Sequence, residues 1–167
     1  MCLYFSSREK FMLSQLARLS TEADGRYATA EELQFLKDYF QSLNHRMSAY
    51  KKLQASETEI MRQVEAQMQS LDPSLFRRGA NDVTEKCRGD IVRVLRHSAA
   101  ALLINDTERL RDRLLLWLQT MLGAVQVRNS ANVTYDVMKK VLKKYLTVEE
   151  TNLFFPILDI NRTLLGK

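Results

Sequence analysis

The segment EKCRGDIV, residues 85–92, holds the side chains of this chain whose types and spacing could do chemistry. Cys87 and Asp90 are three residues apart in a stretch of helical periodicity, so both fall on one face of a helix. A carboxylate nearby raises the pKa of a thiol, whereas Lys86, Arg88 and the helix N-terminus lower it. Cys87 could therefore attack a bound electrophile, while Asp90 accepts hydrogen bonds from ring N–H groups.

Other roles for this segment and for the histidines stay open. In a purely structural role, Cys87 packs as a small hydrophobic residue and Asp90 forms a surface ion pair. His45 and His97 are the only histidines, and neither has a metal-ligating partner at helical spacing, so we expect no metal site. His97 alone could still hold haem in a globin-type fold. We find no nucleophile triad order, phosphate loop or paired carboxylates, and we expect no enzymatic activity.

Composition indicates one soluble helical domain in a reducing compartment. The chain has 167 residues, enough for one domain with its own core, and only five Gly and two Pro interrupt it, which favours helices. The net charge of +5 favours anionic partners, but the basic residues are spread out, so we expect no nucleic-acid binding. No apolar stretch could span a bilayer, and we expect no membrane insertion. The absence of an export leader and of closely spaced cysteines indicates the cytoplasm.

Breakers and capping residues predict seven or eight helices in a single domain over residues 12–167, behind a flexible extension of residues 1–11. A short amphipathic helix ends at the DGRY turn of residues 24–27. Thr29 and Glu32 then form a capping box at the head of one long helix or two abutting helices. Leu33, Leu36, Tyr39, Phe40, Leu43, Met47 and Leu71 are among the positions predicted to be buried there.

The second half of the chain is predicted to continue as helices. Pro, Gly and Asn within residues 72–82 indicate a connection, after which a helix carries Cys87. The next helix is predicted to turn Trp117 and Met121 inward. The polar stretch RNSANVT, residues 128–134, is typical of a loop. A further helix follows, and the capping box TVEE then starts the last one.

Two stretches of the chain resemble the phycobiliprotein superfamily, in particular its allophycocyanin-like subunits. Residues 22–42, EADGRYATAEELQFLKDYFQS, are similar to the start of those subunits, where an Asp-Ala-Arg-Tyr stretch precedes a Ser/Thr-x-x-Glu-Leu helix opening. Residues 87–107, CRGDIVRVLRHSAAALLINDT, are similar to their chromophore segment, which reads Cys-x-Arg-Asp, then Leu-Arg, then an apolar run ending in Ala-Gly-Asp. The basic charge and several substitutions make the chain resemble a divergent member, such as the bilin biosynthesis-associated globins.

The resemblance implies an all-α, globin-like fold with two additional N-terminal helices. It implies a bilin, an open-chain tetrapyrrole such as phycocyanobilin, bound covalently or non-covalently. Cys87 would form the thioether to the bilin, and Asp90 would hold its inner pyrrole nitrogens. The family's propionate-binding arginine corresponds to Gly89 here, so Arg88 or Lys86 would take that role.

The resemblance also implies a partner. In a homodimer, or in a pair with a related subunit, Asp24 and Tyr27 of one copy would meet Arg96 of the other, with Arg93 beside it. The resemblance further implies that the protein lies in a cyanobacterial cytoplasm, free or peripheral to the thylakoid membrane. It also implies an association with the phycobilisome or with bilin-synthesis enzymes. The alternative is a chromophore-free adaptor of the same fold that acts on antenna or bilin-synthesis proteins.

Overall fold

The computed structural model describes residues 12–78, 80–125 and 128–166, and the extension predicted over residues 1–11 lies outside them. The described residues form an all-α domain, which confirms the globin-like class expected from the sequence. None of the described helices is both long and apolar enough to cross a bilayer. The helices are α1 (Met12–Glu22), α2 (Gln34–Leu71), α3 (Thr84–Ile104), α4 (Thr107–Leu110), α5 (Leu116–Val125), α6 (Arg128–Leu142) and α7 (Val148–Leu165).

The longest helix, α2, runs uninterrupted for 38 residues, so the alternative of a single helix is correct. At 1.5 Å per residue it is about 57 Å long. Its buried residues begin at Arg46 and end at Met68, so its first turns extend beyond the core together with α1, which buries no residue. The prediction of burial is therefore wrong for Leu33, Phe40, Met47 and Leu71, and Phe40 is 63% exposed.

The first capping box forms, but it closes a turn instead of opening α2. Thr29 N donates to Glu32 Oε2 at 2.8 Å, and Glu32 N donates to Thr29 Oγ1 at 3.3 Å, while the helix begins only at Gln34. Arg26 donates two hydrogen bonds to the same carboxylate and lowers the pKa of Glu32 to about 2. The turn between α1 and α2 is therefore closed by polar contacts.

The connection predicted over residues 72–82 contains a 3₁₀ turn and a short ribbon. The 3₁₀ turn, Pro73–Phe76, starts with Asp72 accepting a hydrogen bond from Ser74 N at 2.8 Å. Phe76 is buried, which anchors the connection to the core. Strand β1 (Arg77–Arg78) then pairs antiparallel with β2 (Asn81–Asp82), and the chain enters α3.

The C-terminus of α3 is held by side chains of α2. Asn105 follows α3 in the left-handed region with φ 50°, a conformation that Asn tolerates better than most residues. Arg46 Nη1 donates to Leu102 O at 2.6 Å, and Tyr39 Oη donates to Leu103 O at 2.9 Å. The Tyr39 bond gives a partner to a carbonyl at the helix end, and the Arg46 bond adds to the one that Leu102 O accepts from Asn105 N at 3.3 Å. They fix the antiparallel packing of α2 and α3.

A π turn, Arg111–Leu115, joins α4 to α5 and rotates the helix that follows. A π turn adds one residue to the helical repeat, so later positions fall out of the 3.6-residue register. Leu118 is buried as predicted, but Trp117 is 53% exposed and Met121 is 49% exposed. The predicted inward orientation of Trp117 and Met121 is therefore wrong.

The prediction of a loop over residues 128–134 is also wrong, because α6 begins at Arg128. Ala131 and Thr134 are buried on the inner face of this helix. The Thr134 hydroxyl donates to Ser130 O at 2.7 Å, so its polar atom is satisfied by its own helix. Small and self-satisfied polar residues can thus be buried without producing the apolar stripe that predicts a helix.

The second capping box is confirmed at the start of α7. Thr147 N donates to Glu150 Oε2 at 2.8 Å, and Glu150 N donates to Thr147 Oγ1 at 3.3 Å. Lys52 Nζ of α2 also donates to both oxygens of Glu150, at 2.9 and 2.8 Å. Burial raises the pKa of the Glu150 carboxyl, but hydrogen bonds from Lys52, Ser48 and Thr147 outweigh burial and leave that pKa below its usual range.

Candidate binding site

A cavity lies where the start of α3 meets α5, the first turns of α6, and the ends of α2 and α7. It contains about 520 Å³ of empty space, counting the open solvent at its mouth. Cys87 and Asp90 both line it, as their helical spacing predicts. Most of the remaining wall is apolar and includes Met68, Phe76, Ile91, Val94, Leu118 and Leu122.

The polar start of α3 places the site residues at this cavity. Asp82 Oδ1 accepts hydrogen bonds from Thr84 N at 2.9 Å and from Thr84 Oγ1 at 2.6 Å. Val83 N donates to Phe76 O at 2.9 Å, which ties the helix start to the 3₁₀ turn. Cys87 therefore lies in the first turn of α3, half-buried and free of any disulfide.

The surroundings of Cys87 hold it as a neutral thiol. Burial raises the pKa of the Cys87 thiol, and the Asp90 carboxylate raises it further. Lys86 lowers this pKa and Asp82 raises it, and the net direction is upward. Cys87 must therefore lose its proton during any addition reaction, because the thiolate is the reactive form.

Asp90 lies half-buried one turn further along α3, at the same cavity. Arg93 Nη1 approaches Asp90 Oδ1 at 3.8 Å, which is a long ion pair between partly exposed groups. Such a pair contributes little energy. Within the part of the chain that the structure describes, no hydrogen bond is made to the Asp90 carboxylate, so it can accept N–H donors from a ligand.

Arg88 and Lys86, the predicted propionate contacts, do not line the cavity in the described structure. Arg88 Nε and Nη2 each donate to the Glu65 carboxylate of α2 at 2.8 Å. The Lys86 side chain is exposed. Between them and Asp90, a Cβ added at Gly89 would meet nothing within 4 Å. The structure therefore brings Cys87 and Asp90 together but leaves both cations outside.

The predicted interface residues lie on two surfaces. Asp24 and Tyr27 lie in the turn after α1, where Tyr27 is 98% exposed. Arg96, on α3, is exposed and donates two hydrogen bonds of 2.7 Å to Glu57 of α2. A groove beside this ion pair is formed by Tyr50, Leu53, Gln54, Glu57, Leu95, Arg96 and Ala99.

The described residues lend no support to a haem or metal site. His97 is exposed on α3 and does not line the cavity. No group of three or more His, Cys, Asp or Glu side chains suited to a metal ion occurs among the residues with described positions.

Sequence reasoning did not identify Tyr135 as a site residue. This tyrosine lies on α6, is 4% exposed and lines the cavity with Cys87 and Asp90. A single phenol on the buried face of a helix has no motif of its own. Its position could be found only from the packing of α6 against α3.

Comparison with known proteins gives the same family as the motifs. A family model described as phycobilisome protein matches residues 19–164. The chain is 28% identical over 127 residues to a phycobiliprotein beta chain of Mastigocladus laminosus, covering 73% of this chain and 75% of that one. It is 26% identical over 125 residues to allophycocyanin subunit beta-18 of Cyanidium caldarium, covering 72% of this chain and 74% of that one.

Proposed function

Because the chain belongs to the phycobilisome protein family, we propose that it binds a bilin in the cavity at the start of α3 and catalyses no reaction of its own. One observation carries the proposal: a thiol and a carboxylate, Cys87 and Asp90, line one largely apolar cavity. A conjugated tetrapyrrole requires apolar walls together with a few fixed polar groups, which is the usual composition of a small-molecule site.

Cys87 is the proposed attachment point. Its sulfur adds to the exocyclic ethylidene double bond of the bilin, so that one S–C bond forms and the thiol hydrogen ends on the neighbouring carbon. The addition needs no oxidant and releases no leaving group. Asp90 accepts hydrogen bonds from the inner pyrrole N–H groups and, being negative, stabilises the protonated pigment.

The propionates of the pigment require cations at the mouth of the cavity. Lys86 is exposed beside Cys87 and can reach solvent-facing carboxylates. Arg88 can bind a propionate only if it breaks its two hydrogen bonds to Glu65. We therefore assign the propionate contact to Lys86 first and to Arg88 second.

The proposed partner is a second copy or a related phycobiliprotein-type subunit. Tyr27 is almost fully exposed, and Phe40 on the neighbouring part of α2 is largely exposed, as expected for a surface that a partner covers. In the proposed pair, Asp24 and Tyr27 of one copy contact the surface of the other that carries Arg93 and Arg96. We assign the pair to the cytoplasm, free or peripheral to the thylakoid membrane, near antenna or bilin-synthesis proteins.

A chromophore-free adaptor of the same fold is the second candidate. The commitment of Arg88 to Glu65, with a glycine at position 89, favours it, because these features leave the described cavity without a cation. An adaptor would keep the partner surface and lose the pigment.

Co-expression with the enzymes that make phycocyanobilin separates these functions. The purified protein is denatured, and its gel band is tested for zinc-enhanced fluorescence. We expect fluorescence that disappears in Cys87→Ala and persists in Cys2→Ala, the matched control for the other cysteine. Pigment that separates from the chain on denaturation indicates non-covalent binding, and a colourless protein contradicts the proposal in favour of the adaptor.

A further inference from the structure

Tyr135 carries a polar atom that the described part of the protein does not use. The side chain is 4% exposed and lines the cavity, and its hydroxyl makes no hydrogen bond to any residue of the described chain. Among the described residues, the buried side-chain polar atom left without a partner is Asn161 Oδ1, so the Tyr135 hydroxyl is not sealed inside the core and can meet a ligand in the cavity. The hydroxyl of the adjacent Thr134, by contrast, already donates to Ser130 O at 2.7 Å.

The phenol of Tyr135 can act only as a neutral group. Burial raises the pKa of the Tyr135 phenol well above its usual range, so the hydroxyl keeps its proton at physiological pH. A phenol in this state can donate one hydrogen bond to an oxygen acceptor. An anionic acceptor would need a countercharge that this part of the cavity does not provide.

The charge of the cavity wall limits which part of a bilin can enter. Among the described lining residues, Asp90 carries the only formal charge and no cation is present. A propionate carboxylate would therefore be buried without a countercharge, which is strongly unfavourable for any unpaired ion. The terminal rings of a bilin carry neutral lactam carbonyls and small alkyl groups, which match an apolar wall with one neutral donor.

We infer that the Tyr135 hydroxyl donates a hydrogen bond to the lactam carbonyl oxygen of a terminal ring, so that the cavity takes one end of the bilin. The middle rings, with their propionates, then lie toward the mouth, where Asp90 meets their N–H groups. This inference rests on the proposed function, because it specifies how the same ligand is oriented. It assigns Tyr135 a role in ligand specificity.

Replacing the phenol tests the inference with little effect on the fold. Tyr135→Phe removes an oxygen that has no described protein partner, so the melting temperature should stay unchanged. Phycocyanobilin should bind about five- to tenfold more weakly, the loss expected for one hydrogen bond. Tyr145→Phe is the matched control, because the Tyr145 hydroxyl accepts from Gln63 at 2.8 Å outside the cavity. It should lower the melting temperature and leave the affinity unchanged.

A fragment pair distinguishes failure of the inference from failure of the proposed function. 3-Ethyl-4-methyl-3-pyrrolin-2-one has the lactam carbonyl of a terminal ring, and 3-ethyl-4-methylpyrrole lacks it. Titrations followed by protein NMR should show tighter binding of the lactam to the native chain and equal binding of both fragments to Tyr135→Phe. If the lactam binds in this way but phycocyanobilin does not, the proposed function fails and the inference about the bilin is overturned with it, although Tyr135 still selects a lactam carbonyl. If phycocyanobilin binds native protein and Tyr135→Phe equally well, the inference is overturned while the function stands.

Discussion

Arg88 donates two hydrogen bonds of 2.8 Å to Glu65, and this ion pair joins the site helix α3 to α2. A bidentate pair of this kind fixes the guanidinium plane and leaves few donors free for a third group. The guanidinium of Arg88 is thus occupied by a contact within the chain. The adjacent position, Gly89, has open space around it, since an added Cβ would meet nothing within 4 Å, and by resemblance it corresponds to the propionate-binding arginine of the family.

Gly89→Arg should therefore strengthen pigment binding. The new guanidinium can reach the propionates at the mouth, and a charge-assisted hydrogen bond contributes about 1.5–3 kcal/mol, or roughly ten- to hundredfold in affinity. Phycocyanobilin titration followed by absorbance measures this gain. Gly89→Ala is the control, because it should raise helix stability by about 0.5–1 kcal/mol without changing affinity. Equal phycocyanobilin affinities of Gly89→Arg and Gly89→Ala would show that an arginine at position 89 does not bind the propionates, which would then be bound by Lys86 or Arg88.

Cys87 should react slowly with alkylating reagents at neutral pH. Its pKa is raised by burial and by Asp90, so the reactive thiolate forms only as the pH rises above the usual thiol range. Asp90→Asn removes the negative charge, lowers that pKa and should move the rate–pH curve toward lower pH. Lys86→Met should move the curve the other way. Iodoacetamide rates in a Cys2→Ser background measure the shifts, and a curve unaffected by Asp90→Asn would contradict the assigned cause.

The Lys52–Glu150 pair should make stability depend on pH. The folded-state pKa of Glu150 is lowered, so its contribution is present above the unfolded pKa of about 4.3 and is lost as pH falls through the folded value. At pH 7, Glu150→Gln should lower the free energy of unfolding by about 1–2 kcal/mol, since Lys52 is only partly buried.

Urea unfolding at several pH values measures the difference between native protein and Glu150→Gln. The difference should shrink toward zero below pH 4. Glu149→Gln, an exposed neighbour in the same helical turn, controls for loss of charge at the start of α7. A difference that stays constant down to pH 3 would show that protonation of Glu150 is not responsible.

Subunit pairing should respond in opposite directions to two changes. Combining Asp24→Ala with Tyr27→Ala should give a monomer, because both removed side chains belong to the proposed contact. Glu57→Gln should tighten pairing, since it releases Arg96 from its 2.7 Å hydrogen bonds within the chain. Sedimentation velocity measures both effects, and Glu65→Gln is the matched control that frees an arginine outside the interface. An unchanged dimer in the double variant places the interface elsewhere.

Local patterns in the sequence were sufficient to predict much of the fold and the placement of Cys87 and Asp90 on one helix face. The TVEE box forms at α7 because its contacts lie within four residues. Cys87 and Asp90 share a cavity wall because a three-residue spacing on a helix determines their relative direction. Both predictions depend on geometry that the backbone supplies by itself.

Features that depend on distant partners could not be predicted in this way. The π turn Arg111–Leu115 changes the register of α5, and no local residue pattern indicated it. Arg88 pairs with Glu65, which lies 23 residues earlier in the chain, so this ion pair could be identified only from the packing of α3 against α2. Tyr135 can be recognised as a site residue only from the cavity that other helices form around it.

Trp117 is the only tryptophan of the chain, and it lies on the outer side of α5, one residue before Leu118 on the cavity wall. A pigment in the cavity would therefore lie within one helix diameter, about 10 Å, of the indole. Near-ultraviolet emission from this single ring would be quenched as the site fills. If the proposed bilin binds, the fluorescence of Trp117 therefore reports how much of the site is occupied, without an added label.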